Sequence, residues 1–230
     1  MMKKRNEFGE GILFNLTNHI YSLLMTNIYF VLSNLLVLIF FITLKHSFTN
    51  ITLYFLALIP TGPSISALFY SIGKLIREQE LSPFKDFFHG YKINFKDTLK
   101  FWVPLLLVLF ILSVDLQYYK AAASLGHSIL FVLILIGIVF LLVLMLNAFL
   151  INAGFVFRTK DVWKLSVYYS FKKLKTTFGN IGIVIITLFI TAITSNFLII
   201  FIASLVCYAF MLNSKSVVED IKLKFCEVQN

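Results

Sequence analysis

The sequence predicts an all-α protein, a polytopic membrane helix bundle, and three observations lead to that prediction. Hydrophobic residues make up 59% of the chain and charged residues only 13%, whereas soluble domains carry about 25% charged residues. The apolar residues form long blocks, and about 20 apolar residues in a helix cross a bilayer. Short basic segments separate these blocks. A single integral membrane domain over residues 1–230 accounts for the whole chain.

The apolar blocks predict six transmembrane helices. The predicted spans are residues 20–44, 51–73, 101–119, 129–157, 180–194 and 197–213. The last two come from one block of 32 residues, 181–212, which would be about 48 Å long as one helix, against a hydrocarbon core of about 30 Å. The polar residues Thr194, Ser195 and Asn196 interrupt this block and predict a hairpin of two short helices. One tilted or broken helix is the alternative, which reduces the number of spans to five.

The distribution of basic residues predicts the orientation. The segment before the first span has three Lys or Arg residues, and segments 74–100 and 158–179 have six each, whereas the loops between them have one each, Lys45 and Lys120. The positive-inside rule therefore places the basic segments and the N-terminus in the cytoplasm. We expect a multi-pass protein of a bacterial inner membrane, whose first span is not a cleaved signal peptide. The same segments account for the net charge of +9 without a nucleic-acid partner.

The two large basic segments predict amphipathic helices in the cytoplasmic interface, at about 81–99 and 161–178. Each carries an apolar stripe at helical spacing, with most of its lysines off the stripe. We expect these helices to bind anionic lipid headgroups or a protein partner. The residues proposed for that surface are Phe87, Tyr91, Lys92, Phe95, Trp163 and Lys172. A shift of 79 residues superposes Phe84 on Trp163 and Lys96 on Lys175, which suggests a weak internal duplication.

No catalytic or cofactor pattern occurs in the sequence. The four histidines are scattered without metal-ligand spacing, and the two cysteines, Cys207 and Cys226, have no companion ligands. The chain contains no Walker loop and no nucleophile or zinc-protease motif. We therefore expect a protein that is not an enzyme and that uses no cofactor and no metal.

A few positions inside the predicted spans have a structural and a functional interpretation. Asp115 is an acid near the outer end of the third span, so it is either a solvated or locally hydrogen-bonded acid at the interface or a ligand or coupling group. Pro60, Gly62 and Pro63 break the second span, and such breaks either shape helix packing or frame a substrate site. Three asparagines are expected to form hydrogen bonds between helices: Asn147, Asn152 and Asn196.

Residues 59–102 carry a resemblance to a known family. Gly62-Pro63 is followed by small residues up to position 67, and an acidic turn contains Glu78 and Glu80. Further on, the spacing Phe88-x-x-Tyr91-Lys92-x-Asn94-Phe95 precedes Asp115 at the end of the third span. This region resembles the YesL-like family of bacterial membrane proteins. The resemblance implies an integral membrane protein with five or six helices and no defined catalytic residues, typically encoded among carbohydrate uptake systems of Gram-positive bacteria.

The sequence and the resemblance together lead to two functional hypotheses. In the preferred one, the chain is a non-enzymatic accessory or regulatory component of a carbohydrate ABC uptake system and contacts its permease subunits. In the alternative, it is itself a small-solute transporter or channel, an interpretation that depends on the broken second span, on Asp115 and on the duplication.

Overall fold

A computed structural model describes residues 12–45, 47–120, 124–194 and 198–226, and every regular element in these ranges is helical. The helices are α1 Ile12–Ser33, α2 Leu35–Thr43, α3 Ile51–Ala57, α4 Thr61–Glu78, α5 Pro83–Lys120, α6 Leu125–Gly154, α7 Thr159–Lys172, α8 Leu174–Ile193, α9 Leu198–Asn213 and α10 Lys215–Ile221. A 3-10 turn precedes α3 at Phe48–Asn50, and a π-helical turn follows α10 at Lys222–Cys226. The prediction of an all-α bundle is confirmed.

Among the described residues, α5, α6 and α8 are each long and apolar enough to cross a membrane. Two further spans arise if each of two bent helix pairs is counted as one. The α1–α2 pair bends by 65° and the α3–α4 pair by 53°. Helix α9 is apolar along its length but has only 16 residues, so it is shorter than these spans. The chain is therefore a multi-pass membrane protein with up to five full-length candidate spans and α9 as a sixth apolar helix.

The final apolar block folds as two helices, as the hairpin interpretation predicted. Helix α8 ends at Ile193 and α9 begins at Leu198. Near the other ends of these helices, the Asn213 Nδ2 donates to the Asn180 Oδ1 at 2.7 Å and to the Thr176 backbone oxygen at 2.9 Å. The single-helix alternative is therefore wrong. Residues 195–197, which include the predicted turn residues Ser195 and Asn196, lie outside the described residues.

The first predicted span, 20–44, is not one straight helix. Helix α1 already begins at Ile12, and the chain bends after Ser33. At the bend, the Asn34 Nδ2 donates to the Phe30 backbone oxygen at 2.7 Å, and the Ser33 hydroxyl donates to the same oxygen at 2.9 Å. These side chains compete with the backbone donors of the helix for its carbonyls. A polar Ser-Asn pair inside the apolar block thus explains the break.

The predicted interfacial helix 81–99 and the predicted third span 101–119 form one helix, α5, so the separation between them is wrong. The 38 residues of α5 extend over about 57 Å at 1.5 Å per residue. No glycine or proline occurs between residues 95 and 103 to change the direction of the chain. Pro104 lies inside α5, where it removes a backbone hydrogen bond but does not end the helix.

The second predicted interfacial helix, 161–178, is also wrong in its extent, because it is divided between α7 and α8. The backbone leaves the helical region at Lys173, where φ is −108° and ψ is 57°. This break leaves the Ser170 carbonyl without the backbone donor of a continuous helix. The Thr177 hydroxyl donates to it instead, at 2.7 Å. Residues 174–178 therefore belong to the apolar helix α8.

Helix α4 lies at the centre of the bundle and packs against α1, α5, α6 and α9. Phe69 is its main apolar contact, with its ring 6.1 Å from Phe149 of α6 and 5.7 Å from Phe210 of α9. Serines are also fully buried on α4, at positions 64, 66 and 71. On the outside of the bundle, large apolar side chains such as Leu107 and Ile136 are exposed. Polar groups inside and apolar groups outside are what a bilayer solvent favours.

Candidate functional site

The break in the second span is a packed joint rather than an open gap. Pro60 precedes α4 and Pro63 lies in its first turn, where a missing backbone donor is tolerated. The indole Nε1 of Trp102 on α5 donates to the Leu58 backbone oxygen at 3.0 Å. A Cβ atom added to Gly62 would lie 2.4 Å from the Trp102 ring. Glycine at this position therefore lets the indole approach the α4 backbone.

A polar junction connects the three central helices next to this joint. The side-chain Nδ2 of Asn152 on α6 lies 3.2 Å from the hydroxyl oxygens of both Ser66 on α4 and Thr98 on α5. All three side chains are buried. The hydrogen bonds predicted for Asn152 are therefore present, and they fix the relative positions of α4, α5 and α6.

A second predicted asparagine, Asn147, connects α6 to α7. Its Nδ2 donates to the Ser170 hydroxyl at 2.9 Å. Its side-chain oxygen is buried and has no hydrogen-bond partner among the described residues. The interhelical hydrogen bonds predicted for Asn147 and Asn152 are confirmed, since an amide inside an apolar helix requires partners from neighbouring helices.

An ion pair closes the turn between α4 and α5. The Lys74 ammonium lies 2.8 Å from Asp86 Oδ1, and the Ser82 backbone N–H donates to Asp86 Oδ2 at 2.9 Å. Gln79 in this turn has a positive φ of 60° and caps the end of α4. The Asp86 side chain is mostly buried, so it acts as an internal support of the turn rather than as a free acid.

A charged cluster at Asp220 attaches the C-terminal helix α10 to α7. Asp220 Oδ2 accepts from the Tyr169 hydroxyl at 2.7 Å and lies 2.8 Å from Lys172 Nζ and 3.1 Å from Lys224 Nζ. Bonds from Lys172 and Tyr169 hold the pKa of Asp220 well below its usual value. Burial, together with the bond to Asp220, raises the pKa of Tyr169. The bond to Asp220 likewise raises the pKa of Lys172.

The Asp220 cluster was not predicted from the sequence. Tyr169 and Lys172 precede Asp220 by about 50 positions, and no local pattern connects them to it. One available signal was the spacing of Val217 and Ile221, which are both buried on α10. That spacing indicates a docked helix rather than a free tail.

The residues predicted for a partner or lipid surface do not form one exposed surface in the structure. Phe87 is fully buried, with its ring 6.3 Å from that of Tyr29 on α1, so its assignment to a surface is wrong. Phe87 thus packs against a neighbouring helix, whereas Phe84 and Phe88 on the same part of α5 stay exposed. Lys92 and Phe95 are exposed on α5, where with Tyr91 they line a surface groove.

The two residues that were predicted for α7 differ in their surroundings. Trp163 is partly buried against the apolar core. Lys172 participates in the Asp220 cluster and lies 5.3 Å from the centre of the Tyr168 ring. Its charge is therefore partly neutralised within the protein.

Asp115 lies in the last part of α5, five residues before the end of the helix, and is partly buried. No hydrogen bond or ion pair joins its carboxylate to another residue in the described part of the chain. The same described residues contain no group of three or more His, Cys, Asp or Glu that could hold a metal ion. Asp115 therefore remains a single acid near the end of a span.

No curated protein and no solved structure matches the chain. A family model matches it over residues 23–116. The matched stretch extends from α1 into the last part of α5 and contains residues 59–102, which carry the resemblance to the YesL-like family. Over that stretch, the chain is similar to the family described as "Protein of unknown function, DUF624".

Proposed function

We propose that this protein is a non-enzymatic accessory or regulatory component of a bacterial carbohydrate ABC uptake system. In this proposal it resides in the cell membrane with its N-terminus in the cytoplasm and contacts the permease subunits. The Trp102 indole at the break in the second span is the observation that favours an accessory over a transporter. The carbohydrate system itself comes from the resemblance of residues 59–102 to the YesL-like family.

The Trp102 indole occupies the break, where a transport site would need free backbone groups. Broken membrane helices form substrate sites when their free backbone groups face a cavity. Here the Leu58 carbonyl at the break accepts from the Trp102 indole and from the Thr61 hydroxyl, at 3.0 and 2.6 Å. Gly62 has no space for even one added carbon. These contacts support a packing role for the break.

An exposed apolar face on α7 and the start of α8 supports binding to a membrane partner. Val167, Phe171, Leu174 and Phe178 recur at spacings of four, three and four residues, and all four side chains are exposed. Lys173 and Lys175 border this face, so a partner can combine apolar with charged contacts there. In the proposal, this face contacts a permease subunit at the cytoplasmic end of the bundle.

Site-specific photo-crosslinking in native membranes tests the proposal. A photoreactive residue at Phe171 or Phe178 should give a crosslinked product that mass spectrometry identifies as an ABC permease. The same residue at Leu107, exposed on α5, is the matched control and should give no such product. Normal abundance without any permease product from α7 would contradict the accessory function.

The second candidate function, a small-solute transporter or channel, is favoured by two observations. Asp115 has no partner in the described part of the chain. The helix pairs α4–α5 and α6–α7 also make contacts at similar positions under the 79-residue shift. Asn147 on α6 contacts Ser170 on α7. The 79-residue shift of the suggested duplication relates these two residues to positions 68 and 91. In α4–α5, Tyr70 lies against Gly90, within two residues of these positions.

Replacement of Asp115 by asparagine separates the two functions. A carboxylate that couples proton or cation movement must change its charge, so asparagine cannot replace it. An accessory should tolerate Asp115→Asn with normal sugar-dependent growth and normal abundance. Normal abundance with lost activity, together with solute flux in liposomes of the wild-type protein, would favour the transporter.

A further inference from the structure

One face of α5 stays exposed along most of the helix and changes its chemistry halfway. Its members recur at spacings of four, four, three, four and four residues, which keeps them on one side of a helix. They are Lys92, Lys96, Lys100, Val103, Leu107 and Ile111. We call this set the α5 stripe. Its first three members are exposed lysines, and its last three are apolar side chains that are 38, 57 and 49% exposed.

A second basic segment borders the cationic half of the α5 stripe. Arg158 and Lys160, from the connection between α6 and α7 and from the start of α7, line a surface groove together with Lys100 and Asp97. The neighbouring groove contains Lys92, Lys96 and the same Asp97 and Lys100. Five cations thus surround one carboxylate, and Lys100 already pairs with Asp97 at 2.7 Å.

Four of the five cations that line these two grooves have no ion-pair partner in the described part of the chain. Lys92, Lys96, Arg158 and Lys160 form no ion pair within the ranges that the structure describes. Like charges that are held close together repel one another, and a bound anion removes that cost. The charge therefore indicates an anionic occupant.

The apolar half of the α5 stripe identifies which anion fits. From Lys100 to Ile111, 11 residues rise about 16 Å along the helix, which is close to half of a hydrocarbon core of about 30 Å. Because α5 is continuous, a phosphate near Lys100 lies at the head of an apolar surface as deep as one leaflet. A free phosphate or an acidic peptide would use the lysines but not Val103, Leu107 and Ile111.

We propose that the α5 stripe is a binding site for one anionic phospholipid of the cytoplasmic leaflet. Lys96, Lys100 and the 158–160 segment hold its phosphate, and its acyl chains lie along Val103, Leu107 and Ile111. Juxtamembrane cations attract anionic lipids in this way. The proposal does not depend on the accessory function, because a transporter could hold the same lipid.

The test measures lipid affinity of the full-length protein in detergent by native mass spectrometry. Dioleoyl-phosphatidylglycerol should bind at least about tenfold more tightly than dioleoyl-phosphatidylcholine. The double variant Lys96→Gln/Lys100→Gln should weaken the anionic lipid about thirtyfold, as expected for two surface charges. The matched control, Lys164→Gln/Lys175→Gln, removes two exposed lysines of α7 and α8 and should change affinity by less than about threefold. Circular dichroism confirms that both variants fold.

Three results would overturn the proposal. The first is equal affinity for the two lipids in the wild-type protein, and the second is an equal loss of affinity in the test and control variants. The third concerns the occupant. Glycerophosphoglycerol, inorganic phosphate or a glutamate-rich peptide should each compete weakly with the lipid. Competition at lipid-like concentrations by either small anion would identify an anion site without an acyl contribution. Such competition by the peptide would identify a protein-docking surface instead.

Discussion

Replacing Gly62 with alanine perturbs the joint between α4 and α5 at one atom. The added Cβ would lie 2.4 Å from Trp102 Cδ1 and 2.6 Å from Cγ, so the indole must move by about 1 Å to reach an ordinary contact. Overpacking of this kind costs about 1–3 kcal/mol. Loss of the indole bond to the Leu58 carbonyl costs about another 1 kcal/mol. The higher helix propensity of alanine offsets up to about 1 kcal/mol.

We therefore expect Gly62→Ala to lower the free energy of unfolding by about 1–3 kcal/mol. The assay is thermal unfolding of the detergent-solubilised protein, followed by size-exclusion chromatography, where the expected fall in Tm is about 5 °C. Gly137→Ala is the matched control, because nothing lies within 4 Å of a Cβ at that position. It should leave the Tm unchanged or raise it slightly.

A double-mutant cycle assigns the effect to the indole. Trp102→Leu removes the ring, so adding Gly62→Ala to this variant should cost little more. A Tm of Gly62→Ala equal to that of Gly137→Ala would refute the close contact. Strictly additive losses in the double variant would show that the cost of Gly62→Ala arises elsewhere.

Three further predictions concern other parts of the fold. In a cysteine-free background, a cysteine at Lys120 should react with a membrane-impermeant thiol reagent on whole cells, and one at Lys92 should not; the reverse pattern would invert the topology. Asp220→Asn should release α10 and increase proteolysis after α9. Because its partners lower the pKa of Asp220, the attachment of α10 in the wild-type protein should persist above about pH 4. It should weaken only in more acidic solution, where the Asp220 carboxylate becomes protonated. Gln79→Gly should raise the Tm, since glycine adopts the positive φ without strain; a fall in Tm would show that the Gln79 side-chain bond to Ile76 outweighs the strain.

The elements that were predicted correctly have local signals. Polar residues inside an apolar block marked the turn between α8 and α9, and prolines marked the break before α4. Asparagines in an apolar helix indicated partners on other helices, and Asn152 bonds to Ser66 and Thr98. In each case, the physical reason lies within a few residues of the feature.

The errors concern features that the sequence pattern does not distinguish. An interfacial helix and a spanning helix have the same 3.6-residue period, so the pattern could not reveal that both belong to one helix, α5. An apolar stripe also fits a lipid surface and a neighbouring helix equally well, and Phe87 faces Tyr29. The Asp220 cluster depends on the docking of α10, which brings distant charges together.

The continuity of α5 has a mechanical consequence. Helices resist stretching, so its two ends cannot move independently unless the helix bends, and Pro104 is the position where bending is least costly. Pivoting about Lys100 by about 5° would displace Lys120 by about 3 Å, since 20 residues separate them and rise about 30 Å. A displacement of the basic end of α5 is thus passed along the helix to the residues around Asp115, unless the helix bends at Pro104.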